Sequence, residues 1–250
     1  MTATESKSPG VAAYYDKAAA KVPAFTVLNY GYSSEPENSV VPEGHAEFYC
    51  LRLYEHTVRA AQLTGANVLE VSCGRGGGAS FLYSAYKPKR YVGIDLSAEN
   101  IRMASARRDG PQFTVGNAEQ LALDDGSFDI VINIEASHLY DDRRKFFAEV
   151  FRVLTPSGSF CYTDGCWADD DCSDDLLAAG FALKERLEIT DNVIRALELD
   201  SERKARLFDA MGDAKLIQEY KDWGGVVGFR AHQRFVERKT RYFSHLLLRP

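Results

Sequence analysis

The sequence has no run of apolar residues close to the ~20 that a spanning helix needs, and its opening, MTATESKSPGVAAYY, holds no apolar stretch of signal-peptide length. A cytoplasmic protein without membrane insertion is the expectation. It also lacks an excess of positive charge: 30 Lys and Arg stand against 36 Asp and Glu, for a net charge of -6. A nucleic-acid backbone favours a basic face, so nucleic acid is not expected as a partner. The one locally basic stretch (Arg230, Arg234, Arg238, Lys239, Arg241) spaces its charges among apolar residues and reads as a solvated strand-and-helix surface.

Cysteine is scarce and has no paired short spacing. Cys50, Cys73, Cys161, Cys166 and Cys172 form an odd set that reads as reduced, mostly packed thiols. The acidic run Asp169-Asp170-Asp171 between the last two has neither a histidine nor an EF-hand glycine pattern, so a solvated loop is expected there and no metal site. Internal repeats and long low-complexity linkers are missing as well, which excludes a solenoid or a string of separate domains.

What is present is 250 residues, 45% of them hydrophobic, enough interior for one α/β unit that encloses a cofactor and a small molecule. Residues 1–44 form an arm punctuated by Pro, Gly and Ser and carrying Tyr14, Tyr15, Phe25, Tyr30 and Tyr32. A helical rhythm follows from His45 to about Leu63. Short apolar strands are then expected at Asn67–Val71, Tyr91–Ile94, Phe113–Val115, Asp129–Ile134, Ser159–Thr163 and about Ala182–Ile189. Helical segments lie between them, including one from Ala79, one at 98–108 capped by Ser97, and one over Asp141–Leu154 with Phe146, Phe147, Val150, Phe151 and Leu154 on one face. This alternation indicates a parallel sheet covered on both sides, in which ligands bind beyond the carboxyl ends of the strands.

Three strand ends stand out. The first runs into Glu70-Val71-Ser72-Cys73-Gly74-Arg75-Gly76-Gly77-Gly78, where glycines permit a sharp turn and a close approach to a ligand, although a turn without a ligand would read the same way. The second ends at Asp95-Leu96. A carboxylate there can accept both hydroxyls of a ribose, or simply begin the cap that Ser97 already provides. The third leads to Gly116-Asn117-Ala118-Glu119, where an amide can meet a purine edge and a small residue leaves room for the ring, or where Asn shapes a turn.

Together the segments VLEVSCGRGGGASFL, YVGIDLSAENI, FTVGNAEQLALDDGSFDIVINIEASHLY and FFAEVFRVLTPSGSF resemble the consecutive motifs of class I S-adenosylmethionine-dependent methyltransferases over residues 65–165. The resemblance implies a Rossmann-like, doubly wound, mostly parallel seven-stranded sheet with helices on both faces. It implies S-adenosylmethionine as cofactor and S-adenosylhomocysteine as product. Glu70, Ser72, Cys73, Gly74 and Gly76 would hold the methionine end, Asp95 and Leu96 the ribose, and Asn117, Ala118 and Glu119 the adenine. Ser72 stands where the family usually has its first glycine, and Asn117 where it often has an acid.

EVSCGRGGGAS and NIEASHLY are similar to mycobacterial phthiotriol and phenolphthiodiolone dimethyltransferases and to natural-product O-methyltransferases of sugars and polyketides. Those relatives imply transfer to a hydroxyl oxygen of a small-molecule acceptor. A base suits that chemistry: His138 follows the fourth strand and Asp164 ends the fifth, with His138 as general base and the carboxylate orienting it or binding the hydroxyl. The plainer alternatives are a histidine bonded to backbone and an aspartate capping a loop. Glu135 at the same strand mouth is expected to position cofactor or substrate. The organisation expected is an aromatic arm and helix over 1–64 acting as a lid, and a cofactor-binding core over 65–250. Within the core, the helical insertion 191–225 covers the acceptor with Leu197, Leu199, Leu207, Phe208, Met211 and Trp223 as candidate apolar lining. N- or C-methylation, a cofactor-bound cyclase or binding module, a nicotinamide oxidoreductase and a homodimer remain open as alternatives at this stage.

Overall fold

A computed structural model describes residues 8–35, 39–168 and 170–250. The first seven residues of the opening segment and Asp169 of the acidic run therefore lie outside the described residues. The chain opens with α1 (Ser8–Lys21) and α2 (Phe48–Val58). It then alternates through β1 (Asn67–Val71), α3 (Gly77–Tyr86), β2 (Arg90–Asp95), α4 (Ala98–Ala106), β3 (Gln112–Val115), β4 (Phe128–Ile134), α5 (Arg143–Val153) and β5 (Leu154–Trp167). After α6 (Ser173–Ala178) come β6 (Ala182–Glu188), α7 (Thr190–Asp209), α8 (Ala214–Trp223), α9 (Arg230–Val236) and β7 (Thr240–Leu248).

The seven strands form one sheet in the order β3-β2-β1-β4-β5-β7-β6. β1 to β5 run parallel, and β7 is antiparallel to both β5 and β6. This is the Rossmann-like doubly wound sheet that the sequence leads one to expect. Strand order reverses at β1, which lies between β2 and β4, so the crevice for a ligand opens beyond the ends of those strands. Because side chains alternate across a strand, β1 sends Val68 to one core and Leu69 to the other. Each face is covered: α2, α3 and α7 pack on the first, α5 on the second, where Phe146, Phe147 and Val150 are fully buried.

Three readings need correction. Leu154 does not extend the helical face of α5; the helix ends at Val153 and Leu154 begins β5. The N-terminal arm, for which the sequence placed no element, holds α1 in its first half. Its SPGVAAYYDKAAAK is alanine-rich, and alanine costs the least to order in a helix. The basic C-terminal stretch is not only surface. It contains β7, which lies inside the sheet with Tyr242 and Leu247 fully buried, while Arg241 reaches outward to Glu188.

A third apolar cluster stands apart from the sheet. Ala18, Val22 and Phe25 of the N-terminal segment pack against Phe208, Tyr220 and Val226 from α7, α8 and the following loop. Phe25 stacks on Phe208 at 5.3 Å between ring centres and meets Trp223 edge-on at 6.5 Å. This layer roofs the strand ends. All five cysteines are free, four of them buried. Among the described residues no helix is long and apolar enough to cross a membrane.

Candidate active site

Two adjoining cavities lie beyond the carboxyl ends of β1, β2, β3 and β4. The first encloses about 850 Å³ including its mouth, and its wall carries Ser72, Cys73, Gly74, Asp95, Leu96, Asn117, Ala118, Glu119 and Glu135. These are nine of the eleven residues the sequence assigns to the cofactor. Glu70 and Gly76 are not on this wall. Glu70 is 1% exposed and accepts the phenol protons of Tyr54 (2.7 Å) and Tyr91 (2.6 Å); burial pushes its carboxyl up to about 7 against the lowering effect of those two bonds. A Cβ on Gly76 would come within 2.7 Å of Phe113 and 2.9 Å of Ala104, so its requirement is helix-on-strand packing.

The turn after β1 is held from several sides. Ser72 adopts φ 60°, the left-handed conformation that glycine takes most easily, and its hydroxyl shares a 2.6 Å hydrogen bond with that of Tyr140. Asn133 Nδ2 donates to the same Tyr140 oxygen at 2.9 Å. The amide of Gly74 donates to Asp95 Oδ2 at 2.9 Å, tying the β1 turn to the end of β2. Asp95 Oδ1 accepts from the Ser97 amide and from Asn100 Nδ2, so the carboxylate fixes the turn as well as facing the cavity. Burial raises its pKa against those donors. Asn117 shapes a turn, its Oδ1 accepting the Glu119 amide, and it also lines the cavity.

Of the two glycines after Gly76, Gly77 serves the arm and Gly78 serves α2. A Cβ on Gly77 would meet the backbone oxygen of Thr26 at 2.6 Å, and the Gly77 amide donates to that oxygen at 3.1 Å. Gly78 faces the Tyr54 ring, where a Cβ would stand 2.0 Å away. Arg75, 1% exposed, donates to the carbonyls of Val22 and Phe25. The β1 turn is thus the anchor of the N-terminal segment, and α1 itself is pinned by Asp16, which accepts from the Ser97 hydroxyl and the Glu99 amide.

The second cavity, about 1050 Å³ with its mouth, shares Val11, Tyr15, Leu28, Glu135 and Leu139 with the first and adds Tyr14, Phe25, Tyr30, His138, Lys204 and Trp223. His138 sits in a 3-10 turn, Ser137–Leu139, directly after β4. Its Nδ1 lies 2.7 Å from Asp164 Oδ1, which leaves Nε2 as the basic nitrogen of the neutral ring. Asp164, 4% exposed on β5, also accepts the Ser137 hydroxyl at 2.7 Å and the amides of His138 and Gly165. Burial by itself lowers the pKa of His138, but the charge and hydrogen bond of Asp164 outweigh it and hold the imidazole above its ordinary value. The same partnership keeps Asp164 below the usual carboxylate range in spite of burial.

Glu135 closes the shared wall. It too is left-handed, at φ 51°, and its Oε2 accepts the Tyr30 amide (2.8 Å) and the Tyr242 hydroxyl (2.6 Å). Burial pushes its carboxyl up to about 7 despite those donors. Left-handed non-glycine residues at two strand ends, Ser72 and Glu135, store strain at the cavity mouth, which is where functional sites commonly keep it.

Of the candidate lid and lining residues, Tyr14, Tyr15, Tyr30 and Trp223 are on the wall. Tyr32 stacks on His56 instead, Leu197 and Phe208 are fully buried in the cores, Leu207 and Met211 pack on the roof cluster, and Leu199 is 50% exposed. Sequence reasoning missed Tyr140, Asn100, Leu28 and Lys204. The first two sit inside the segments NIEASHLY and YVGIDLSAENI, where their nearness to a strand end was a usable signal. Of the acidic run, Asp170 pairs with Arg143 and Asp171 with Arg186. Among the described residues no group of three or more His, Cys, Asp or Glu is placed to hold a metal ion.

Comparison with known proteins gives concordant results. A methyltransferase-domain model matches residues 69–162. The chain is 34% identical over 231 residues to the fatty-acid O-methyltransferase of Mycolicibacterium smegmatis, spanning 89% of this chain and 83% of that protein. It is 36% identical over 212 residues to the phthiotriol/phenolphthiotriol dimycocerosates methyltransferase of Mycobacterium tuberculosis, spanning 80% and 77%. Among solved structures, that of the 4+2 cyclase SpnF superposes with a TM-score of 0.77 at 20% identity over 97% of this chain and 96% of that one, a likeness of fold.

Proposed function

The chain belongs to the class I S-adenosylmethionine-dependent methyltransferases, and from that premise we propose that it methylates a hydroxyl oxygen of a lipid-like or polyketide-like small molecule, with His138 as general base. The observation that carries this reading is His138, bonded from behind by Asp164, on the wall of an aromatic and apolar cavity adjoining the strand-end cavity.

The residues of the first cavity suit the cofactor. Asn100 Oδ1 is buried on its wall without a hydrogen-bond partner among the described residues, and Asp95 offers a carboxylate beside it. Asp95 is assigned to the ribose and Asn117 with Ala118 to the adenine, while Ser72, Cys73 and Gly74 bound the methionine end and Leu96 and Glu119 complete the wall. When bound, the cofactor supplies an activated methyl group on sulfur. The protein then has two tasks: to align the acceptor oxygen and to remove its proton.

Alignment falls to Tyr15, Leu28, Glu135 and Leu139, which line both cavities, and holding the reactants in register is worth effective molarities of ~10⁵–10⁸ M. Proton removal falls to Nε2 of His138. As the new C–O bond forms, the hydroxyl proton passes to that nitrogen, and the buried carboxylate of Asp164 stabilises the resulting imidazolium. Such a base contributes on the order of 10²–10⁴-fold. Asp164 is a positioning residue, since it lines neither cavity. The names of the relatives, one an O-methyltransferase of fatty acids and one acting on phthiotriol lipids, support a lipid-like acceptor and an oxygen nucleophile. The arm over 1–64 and the insertion over 191–225 are the proposed cover, by virtue of α1, Lys204 and Trp223 on the second cavity.

The test is incubation with methyl-labelled S-adenosylmethionine and a panel of long-chain alcohols, amines and hydroxylated polyketides, with products identified by mass spectrometry. Methyl ethers are expected. Methylated amines or carbon-methylated products in place of ethers would overturn the oxygen assignment.

A further inference from the structure

The second cavity holds one buried charge that methyl transfer leaves unused. Lys204 lies on α7 with its side chain 2% exposed and on the cavity wall. Its Nζ has no hydrogen-bond partner among the described residues. The nearest carboxylate, Asp200, stands 3.9 Å away, beyond hydrogen-bond reach, and both its oxygens already receive Arg203 at 2.6 Å.

The neighbouring carboxylates are already engaged. Glu47, the other carboxylate near this group, is already bonded by Thr26 and Val27. The carboxylate of the cavity wall, Glu135, sits on the side shared with the cofactor cavity and is engaged by Tyr30 and Tyr242. Asn29 Oδ1, the other buried polar atom of this wall without a partner, is an acceptor and does not compete for a negative group. An ammonium kept from water without a hydrogen-bond partner, its one carboxylate at 3.9 Å already shared with Arg203, is unfavourable, and a ligand that brings an anion recovers free energy on binding.

We infer that Lys204 is the anion anchor of the acceptor site: it binds a carboxylate of the acceptor, separate from the hydroxyl that His138 deprotonates, so that the acceptor is a hydroxylated carboxylic acid. The inference rests on the assignment of the second cavity to the acceptor. A single ammonium on a wall that includes Phe25, Val27, Leu28 and Trp223 matches one carboxylate; a phosphate dianion would need a second cation. The nucleophile remains the hydroxyl, because a carboxylate nucleophile has no proton for His138 to take.

The experiment is calorimetric titration of the S-adenosylhomocysteine-loaded protein with ω-hydroxydodecanoate and with its methyl ester, for the wild type, Lys204→Met and Lys204→Arg. The wild type is expected to bind the acid roughly 10–100-fold more tightly than the ester, the worth of a charged hydrogen-bonded contact. Lys204→Met is expected to lose that preference with ester affinity unchanged and with no fall in Tm, and Lys204→Arg to restore part of it. Equal affinities in the wild type, or a preference that survives in Lys204→Met, would overturn the inference. So would a Lys204→Met protein that loses both ligands together with Tm, which would make Lys204 a structural partner of Asp200. No binding of either ligand to the wild type overturns the acceptor assignment of the cavity as well. Transfer to the ester hydroxyl, measured in parallel, separates the two claims: ethers formed without acid preference sink only the anchor, and acid preference without ethers sinks only the role of His138.

Discussion

The two cavities share a wall yet are drawn from different parts of the chain. The cofactor side takes most of its polar residues from the ends of β1, β2, β3 and β4 and the few positions after them, in sequence order, with Tyr15 of α1 and Tyr54 of α2 added. The acceptor side combines α1, the segment around Phe25–Tyr30, the turn after β4, and Lys204 and Trp223 from α7 and α8. Where backbone geometry fixes the place of a residue, knowing the strand is knowing the site. Where helix-on-helix packing decides, the wall follows from contacts between segments far apart in the chain, and the same apolar residue serves equally well as roof core.

The division of labour between the cavities gives the largest expected effects. His138→Ala should lower turnover by about 10²–10⁴-fold, the usual worth of a positioned base, and leave S-adenosylhomocysteine affinity close to the wild type; steady-state rates and calorimetry on one preparation check this. Asp95→Ala should do the reverse, weakening cofactor binding by roughly 10–100-fold, since a charged acceptor and the Gly74 and Ser97 amide bonds are lost together. Should the two variants show the same pattern of losses, the cavities would not have separate roles.

Smaller effects probe the seam. Gly77→Ala places a methyl against Thr26 backbone, and the arm must move; thermal unfolding should show a loss of about 1–3 kcal/mol, with faster proteolysis N-terminal to Thr26. An unchanged Tm and cleavage rate would mean that the arm is not anchored on the β1 turn. The smallest change is expected at Leu199, which the sequence marks as lining but which is 50% exposed: Leu199→Ser should shift stability by under about 0.5 kcal/mol and leave the acceptor KM as it is. A raised KM there would return Leu199 to the acceptor wall.

Legibility in the sequence follows the same line. The strand periods of VLEV, YVGID and DIVINI locate β1, β2 and β4, and with them Ser72, Asp95, Glu135 and His138. Asp164 was equally accessible at the end of the β5 run. β7 was not, because its opening is masked by Arg241, which points outward to Glu188 beside the buried Tyr242 and Phe243. Lys204 was invisible for another reason: on a helix such as α7, a lysine four residues after an aspartate reads as a solvated ion pair, and only the packing of the N-terminal segment over it removes the water. Glu70 reads from sequence as a ligand residue, whereas the structure commits its carboxylate to two tyrosines.

The most direct measurement is the pH dependence of methyl transfer to a hydroxylated acceptor, compared between the wild type and Asp164→Asn. His138 acts as a base only when neutral, and its pKa is raised above 6.5 by Asp164. The wild-type rate should therefore climb with pH through a value above 6.5 and then level off. Without the Asp164 charge, the lowering effect of burial prevails, so the acid limb should move to lower pH while the plateau falls. Glu135, with its carboxyl near 7, is also raised by the Asp164 charge, so Glu135→Gln separates the two groups: the acid limb should persist in that variant if His138 is the titrating group and vanish if Glu135 is. An acid limb that stays in place, or a rate that does not depend on pH, would contradict the assignment of His138 and Asp164 as the machinery that takes the proton.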